Sequence, residues 1–141
     1  MKILEIGKVE LASLCYLNKE RYPFLLESVN HNDNNRYSIL FAFPSESIVL
    51  NSLSDFDFLN ELESQYKSSN LNSILPFSGG WFVYLSYELI GQIEPILSGV
   101  LRSSELPIAY AVKIPSAVII DYQSNTTYLI DQFGNQSRID T

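Results

Sequence analysis

Residues 108–131 read IAYAVKIPSAVIIDYQSNTTYLID, and this stretch decides the fold class. It is rich in β-branched and aromatic residues, which favour strands. Ile108–Lys113 and Ser116–Tyr122 are predicted strands on either side of one proline, which rules out a single unbroken interior strand because proline lacks a backbone donor. Gln123–Asn125 is predicted to turn the chain back into a third strand, Thr127–Asp131. Such short connections predict antiparallel sheet.

The amino-terminal third of the chain carries the same kind of signal. Lys2–Ile6 is a predicted strand, and Glu10–Leu17 places its apolar residues at helical spacing. Pro23–Phe43 is predicted to form a hairpin. Its loop would be the polar stretch Asn30–Asn35, because asparagine tolerates left-handed backbone and bonds its own chain.

A helix is predicted after Ser54, which would cap it, with Asp55 and Asp57 in the first turn near the positive end of the helix dipole. Lys67–Asn70 would be its polar exit. The residues predicted to line its inner face share an apolar character and helical spacing: Phe58, Leu59, Leu62 and Tyr66.

The segment after the paired glycines Gly79 and Gly80 is predicted to be a central strand, Trp81–Ile90, because both of its faces begin with apolar residues. The glycines would allow unusual backbone angles and a close approach at the strand's entry. Ile93–Glu105 is predicted to be irregular or a short helix. We therefore predict an α+β fold of largely antiparallel β-sheets with flanking helices, forming a single domain over residues 1–141.

Composition restricts the possible partners. The formal net charge is −7, which disfavours binding to nucleic acid or to an anionic membrane surface. Neither a signal peptide nor a stretch of about 20 apolar residues is visible, and one cysteine fits a reducing compartment. These features predict a soluble, cytoplasmic protein without a membrane segment.

Catalytic and metal-binding patterns are not evident in the sequence. The chain has one histidine, His31, which falls in the asparagine-rich loop and is predicted to be exposed, and one cysteine, Cys15. A single His and a single Cys cannot supply the three or four clustered ligands of a usual metal site. We therefore expect neither a catalytic residue nor a metal site within these residues.

Three groups of motifs, in order along the chain, resemble the amino-terminal domain of the anthranilate synthase component I family, which includes the aminodeoxychorismate synthase large subunits. The resemblance covers almost the whole chain, with similar order and spacing. The motifs are Phe24–Val29 with Arg36–Leu40, then Leu75–Gly80 with Tyr87–Leu89, and finally Leu106–Pro107 with Ala117–Tyr122.

The resemblance implies an activity for the parent enzyme. Tyr87–Pro95 and Ala109–Pro115 are more similar to aminodeoxychorismate synthase component I than to anthranilate synthase, the alternative. The expected reaction converts chorismate and ammonia, supplied from glutamine by a glutaminase subunit, to 4-amino-4-deoxychorismate for p-aminobenzoate and folate synthesis. The Mg²⁺ and chorismate residues would lie in a carboxy-terminal domain beyond Thr141. The segment alone would be inactive.

The resemblance also nominates a binding site. In this family the first hairpin contributes to a tryptophan pocket, and the matching positions here are Leu26, Glu27, Ser28, Arg36 and Tyr37. Glu27 and Arg36 could hold the ammonium and carboxylate of a free amino acid, with Ser28 offering a hydroxyl. A simple ion pair at the strand ends is the competing interpretation. A non-enzymatic amino-acid-binding domain and a purely structural domain remain alternatives, and the oligomeric state is not indicated.

Overall fold

A computed structural model describes residues 1–28, 35–66, 74–99 and 105–139. It has an α+β architecture with two antiparallel sheets, which confirms the predicted fold class. The chain divides into two compact units. The first comprises Met1–Ser45, Leu71–Gly80 and Lys113–Thr141, and the second comprises Glu46–Asn70 and Trp81–Val112. The interpretation of the whole chain as one domain stays a prediction.

The elements alternate between strands and short helices. In chain order they are β1 (Lys2–Ile6), α1 (Leu11–Leu17), β2 (Phe24–Leu26), β3 (Tyr37–Ala42), β4 (Ser47–Leu50), α2 (Phe58–Gln65), β5 (Gly80–Leu85), a 3₁₀ turn (Tyr87–Leu89), α3 (Ile90–Ile93), a second 3₁₀ turn (Pro95–Leu97), β6 (Ala109–Ile114), β7 (Ser116–Asp121), β8 (Thr126–Asp131) and α4 (Gln136–Ile139). The longest described helix, α2, has eight residues, and none could cross a membrane.

The first unit is built on a five-stranded sheet in the order β1-β8-β7-β3-β2, with every neighbouring pair antiparallel. Its strand β7 is apolar on both faces. Val118 packs with Leu11 and Leu40 on one side, whereas Ala117 and Ile119 pack in another cluster on the other side. This double burial explains the continuous apolar stretch of β7, which is typical of a central strand.

The second unit contains a three-stranded sheet in the order β4-β6-β5. Its core gathers fully buried Leu50 and Phe58 with Leu89 and Ile108, and Trp81 packs against this cluster. Pro115 separates β6 from β7, so the chain leaves one sheet and enters the other at the proline. The predicted interruption at Pro115 is confirmed.

Several predicted elements are confirmed. β1 has the predicted bounds, α1 begins one residue after Glu10, and β2 pairs with β3 in the predicted hairpin. Residues 30–34 of the predicted hairpin loop, including His31, lie outside the described residues, as does the predicted polar exit Lys67–Asn70. In the predicted irregular segment, Pro95–Leu97 forms a 3₁₀ turn.

The prediction of a central strand over Trp81–Ile90 is wrong. The strand ends at Leu85 and lies at the edge of its sheet, with Val83 to Leu85 exposed. The backbone N–H of Ser86 donates to the carbonyl of Ile108 at 2.8 Å, and a 3₁₀ turn follows. The prediction assumed that apolar residues on both faces of a strand are buried. The apolar residues Val83 to Leu85 are instead exposed on a surface that no described residue covers.

The predicted cap of α2 is also wrong. Asp57, not Ser54, is the cap residue, and its Oδ1 accepts a hydrogen bond from the Asn60 N–H at 3.0 Å. Of the four predicted inner residues, Phe58 is fully buried and Leu62 packs against the core, whereas Leu59 and Tyr66 are exposed. Ser54 lies instead in a turn that precedes α2.

A glutamine side chain holds that preceding turn. Gln92 Nε2 donates to the carbonyls of Leu53 (2.9 Å) and Phe56 (2.5 Å), and Gln92 Oε1 accepts from the N–H of Phe58 at 3.1 Å. These contacts bring the start of α2 to the end of α3. The helix therefore begins where a distant side chain satisfies its first donor.

The expected role of the paired glycines is confirmed at Gly79. Its φ of +104° lies in a region that favours glycine, and a Cβ there would be 2.8 Å from the Cβ of Gln132. Any larger residue would meet this side chain as well as backbone strain. Gly79 thus allows close packing immediately before β5.

Candidate functional site

The candidate site lies where the hairpin of β2 and β3 meets the end of β7. Ser28 follows β2, Arg36 precedes β3, and Tyr37 pairs in register with Asp121, the last residue of β7. The N–H of Tyr122 also donates to the Arg36 carbonyl at 2.9 Å. Residues distant in the sequence therefore converge at one end of the five-stranded sheet.

A two-pronged ion pair is the strongest polar interaction of this site. Arg36 Nε donates to Asp121 Oδ1 at 2.8 Å, and Arg36 Nη2 donates to Oδ2 at 2.6 Å. Asp121 is buried, whereas the Arg36 side chain is 40% exposed. Bidentate pairs of this kind are strong and fix the orientation of the guanidinium.

The ion pair sets the protonation of both groups. The hydrogen bonds from Arg36, supported by the backbone N–H of Gln123, hold the pKa of the Asp121 carboxyl well below its usual range, although burial opposes this shift. The Asp121 carboxylate in turn raises the pKa of Arg36. Both groups are therefore charged at neutral pH.

A chain of hydroxyl groups lies beside the ion pair. Ser28 Oγ donates to the carbonyl of Tyr37 at 2.6 Å, and the Ser28 N–H donates to Ser38 Oγ at 3.0 Å. Ser38 is fully buried, and its hydroxyl is also 3.0 Å from the hydroxyl of Tyr122. These bonds tie the end of β2 to β3 and β7.

The structure brings together three of the five residues nominated from the sequence. Ser28 bonds to Tyr37, and the Arg36 guanidinium lies 4.8 Å from the centre of the Tyr37 ring, a cation–π distance. Leu26 and Glu27 are exposed next to Ser28, with Leu26 opposite Ile39 in the hairpin register. The binding role of the five residues stays a prediction.

Sequence reasoning missed the residues that complete this site. Asp121 lies 85 positions after Arg36, and Tyr122 lies 84 positions after Ser38. Two signals were available: Asp121 and Tyr122 end a predicted strand, and they belong to the Ala117–Tyr122 motif of the family resemblance. Among the described residues, no group of three or more His, Cys, Asp or Glu side chains could hold a metal ion.

Comparison with known proteins gives two distant relatives. The chain is 27% identical over 145 residues to Anthranilate synthase component 1 of Lactococcus lactis, covering 92% of this chain and 32% of that protein. It is 28% identical over 108 residues to an Anthranilate synthase component I-like protein of Synechocystis, covering 72% of this chain and 22% of that protein. No family model matches.

These similarities point to the anthranilate synthase component I family as the group of proteins that this chain resembles. They do not single out aminodeoxychorismate synthase within that family. The chain spans about a third or less of the length of the relatives that it matches.

Proposed function

We propose that this chain is the amino-terminal part of a chorismate-aminating synthase. The observation that carries this proposal is the similarity to an anthranilate synthase component 1 over 92% of the chain. The order of the motifs from Phe24 to Tyr122 supports it. In this proposal the parent enzyme is cytoplasmic and works with a glutaminase subunit, and its Mg²⁺ and chorismate residues lie outside these 141 residues.

For the product we propose 4-amino-4-deoxychorismate, the precursor of p-aminobenzoate in folate synthesis. The support is the likeness of Tyr87–Pro95 and Ala109–Pro115 to aminodeoxychorismate synthase component I. Anthranilate is the second candidate, and one observation favours it: both relatives are named for anthranilate synthase component I.

The product assay tests both the class and the choice within it. The parent protein is incubated with chorismate and ammonium, and products are identified by mass spectrometry. We expect 4-amino-4-deoxychorismate from the parent protein and no product from the 141-residue chain alone. Anthranilate would establish the second candidate. The absence of both products from a folded parent protein would contradict the proposed class.

We further propose that Leu26, Glu27, Ser28, Arg36 and Tyr37 bind a tryptophan-type amino acid. Within the described residues, two of the five guanidinium N–H groups of Arg36 bond to Asp121, and we assign the others to a ligand carboxylate. The exposed Glu27 carboxylate can face the ligand ammonium, and exposed Leu26 offers apolar contact. The ion pair to Asp121 would pre-orient the arginine.

Titration calorimetry of the parent protein with L-tryptophan checks this site. We expect saturable binding, and Glu27→Gln should weaken it about tenfold or more because a charge-assisted bond is lost. Glu20→Gln, at an exposed acid outside the hairpin, is the matched control and should leave the affinity unchanged. The pocket assignment is wrong if no saturable heat appears at about 1 mM ligand, because a dissociation constant above that concentration corresponds to a very weak affinity.

The rival interpretation is a stand-alone amino-acid-binding domain. The reading frame beyond Thr141 distinguishes it from the enzyme. We expect roughly 300 further residues, the scale of a second and larger domain. A stop codon directly after Thr141, together with tryptophan binding, would support the non-enzymatic domain instead.

A further inference from the structure

The second unit carries an apolar groove between α2 and the face of β5. Its volume is about 450 Å³. Its walls are Leu59 and Leu62 from α2, Tyr66 directly after the helix, and Trp81 and Val83 from β5, with Glu63 as its charged residue. Leu62 and Trp81 also touch the core, so they form a fixed floor. The groove is therefore part of the packed unit.

The walls of the groove are unusually exposed for apolar residues. Leu59 and Val83 are each 41% exposed, and Tyr66 is 63% exposed. A site for a small molecule usually buries most of the surface of its ligand. Walls as exposed as these would leave much of a small ligand in solvent, so the groove is a poor site for one. A contiguous apolar surface of this kind is typical of contact with another protein segment.

Charge indicates the character of that segment. Helix α2 has the sequence FLNELESQ, with Glu61 and Glu63 as its charged residues, and the acidic cap Asp57 precedes it. Among the described residues that line the groove there is no cation. A second copy of the chain, with its net charge of −7, or an anionic membrane would bring like charges to this acidic helix.

We propose that this groove binds an amphipathic segment of a partner protein whose apolar side chains enter between α2 and β5 and whose lysine or arginine faces Glu63. A helix can present such anchors at spacings of three and four residues, as in helix-in-groove recognition. The proposal rests on the groove alone and is independent of the proposed enzymatic activity.

The probe for this proposal is a short helical peptide of leucine and lysine with its leucines on one face. Trp81 is the one tryptophan of the chain and forms part of the groove, so its emission reports occupancy. Subtracting the spectrum of a Trp81→Phe variant isolates this signal in a longer parent protein. We expect a saturable blue shift whose midpoint rises with salt, because exposed charges are screened.

Variants decide whether the groove is responsible. Leu59→Ala should weaken peptide binding about tenfold, and Glu63→Gln about threefold, the effect of one lost exposed ion pair. Both residues are at the surface, so circular dichroism should match the unchanged protein. Ile96→Ala replaces another exposed apolar residue that does not line the groove and should leave the affinity unchanged.

Three results would overturn the proposal. The first is equal binding of a peptide with glutamate in place of lysine. The second is binding that the groove does not control, seen either as an unchanged affinity in Leu59→Ala or as no saturable shift at about 1 mM peptide. The third is a dimer in analytical ultracentrifugation that Leu59→Ala dissociates, which would make a second copy the occupant.

Discussion

Replacing Phe58 by alanine should lower the free energy of unfolding of the second unit by about 3–5 kcal/mol. Phe58 is fully buried in the cluster formed with Ile48, Leu50, Leu89 and Ile108. Removing its ring loses the transfer free energy of a large apolar side chain and leaves a cavity that the surrounding strands cannot fill. The side chain also anchors α2 on the sheet, so the helix should fray.

Urea unfolding followed by Trp81 fluorescence measures this effect, because Trp81 packs against the same cluster. Phe56→Ala is the matched control: the same residue type lies two positions earlier but is 36% exposed. We expect a loss of less than about 1 kcal/mol in the control. Equal losses in the two variants would show that the cluster is not the core of this unit.

The parts of the fold that were predictable depend on local patterns. The strand β7, its turn into β8 and the break at Pro115 follow from residues close in sequence. The strand β1 and the hairpin of β2 and β3 were equally local. Antiparallel connections need few residues, so neighbouring segments suffice to indicate the fold class.

The errors came from contacts that local patterns do not contain. Gln92 bonds to Leu53, Phe56 and Phe58 from more than thirty positions away, and the helix consequently begins at Phe58 with Asp57 as its cap. The exposure of Val83 shows a second reason why sequence patterns were insufficient. An apolar residue on a strand face predicts that something covers that face, but it does not say what.

In the candidate site, too, the sequence indicated some residues but not their distant partners. Ser28 and Arg36 were nominated by resemblance to a family, and the structure places both beside Tyr37. Their actual partners include Asp121 and Ser38, which no spacing rule connects to them. These contacts depend on the register of the strands β2, β3 and β7, and that register is set by the packing of the whole sheet.

Replacing Asp121 by alanine should lower the free energy of unfolding of the first unit by about 2 kcal/mol. Removing one partner of a fully buried ion pair costs about 3–5 kcal/mol, and the cost should be smaller here because the 40% exposed Arg36 can be rehydrated. The N–H of Gln123, which donates to Asp121 at 3.0 Å, also loses its acceptor. Unfolding in urea followed by circular dichroism measures this loss.

A double-mutant cycle with Arg36→Ala isolates the pair from the other contacts of Asp121. We expect a favourable coupling energy between the two positions, so that the double variant loses less stability than the sum of the two single variants. Arg36→Lys should recover only part of it, since an ammonium cannot make both bonds of the guanidinium. Additive losses from the two single variants would contradict a cooperative pair.

The pH dependence of stability gives a second, independent signature of Asp121. Its pKa in the folded protein is lowered by the Arg36 hydrogen bonds, whereas in the unfolded chain it is near the ordinary value of about 3.9. The stabilisation is therefore complete above about pH 5 and is lost as the pH falls through the unfolded and then the folded pKa. In Asp121→Asn this part of the acid limb should disappear, so wild-type and variant stabilities converge toward low pH. A constant difference between them from neutral to acidic pH would show that the carboxylate charge contributes nothing to folding.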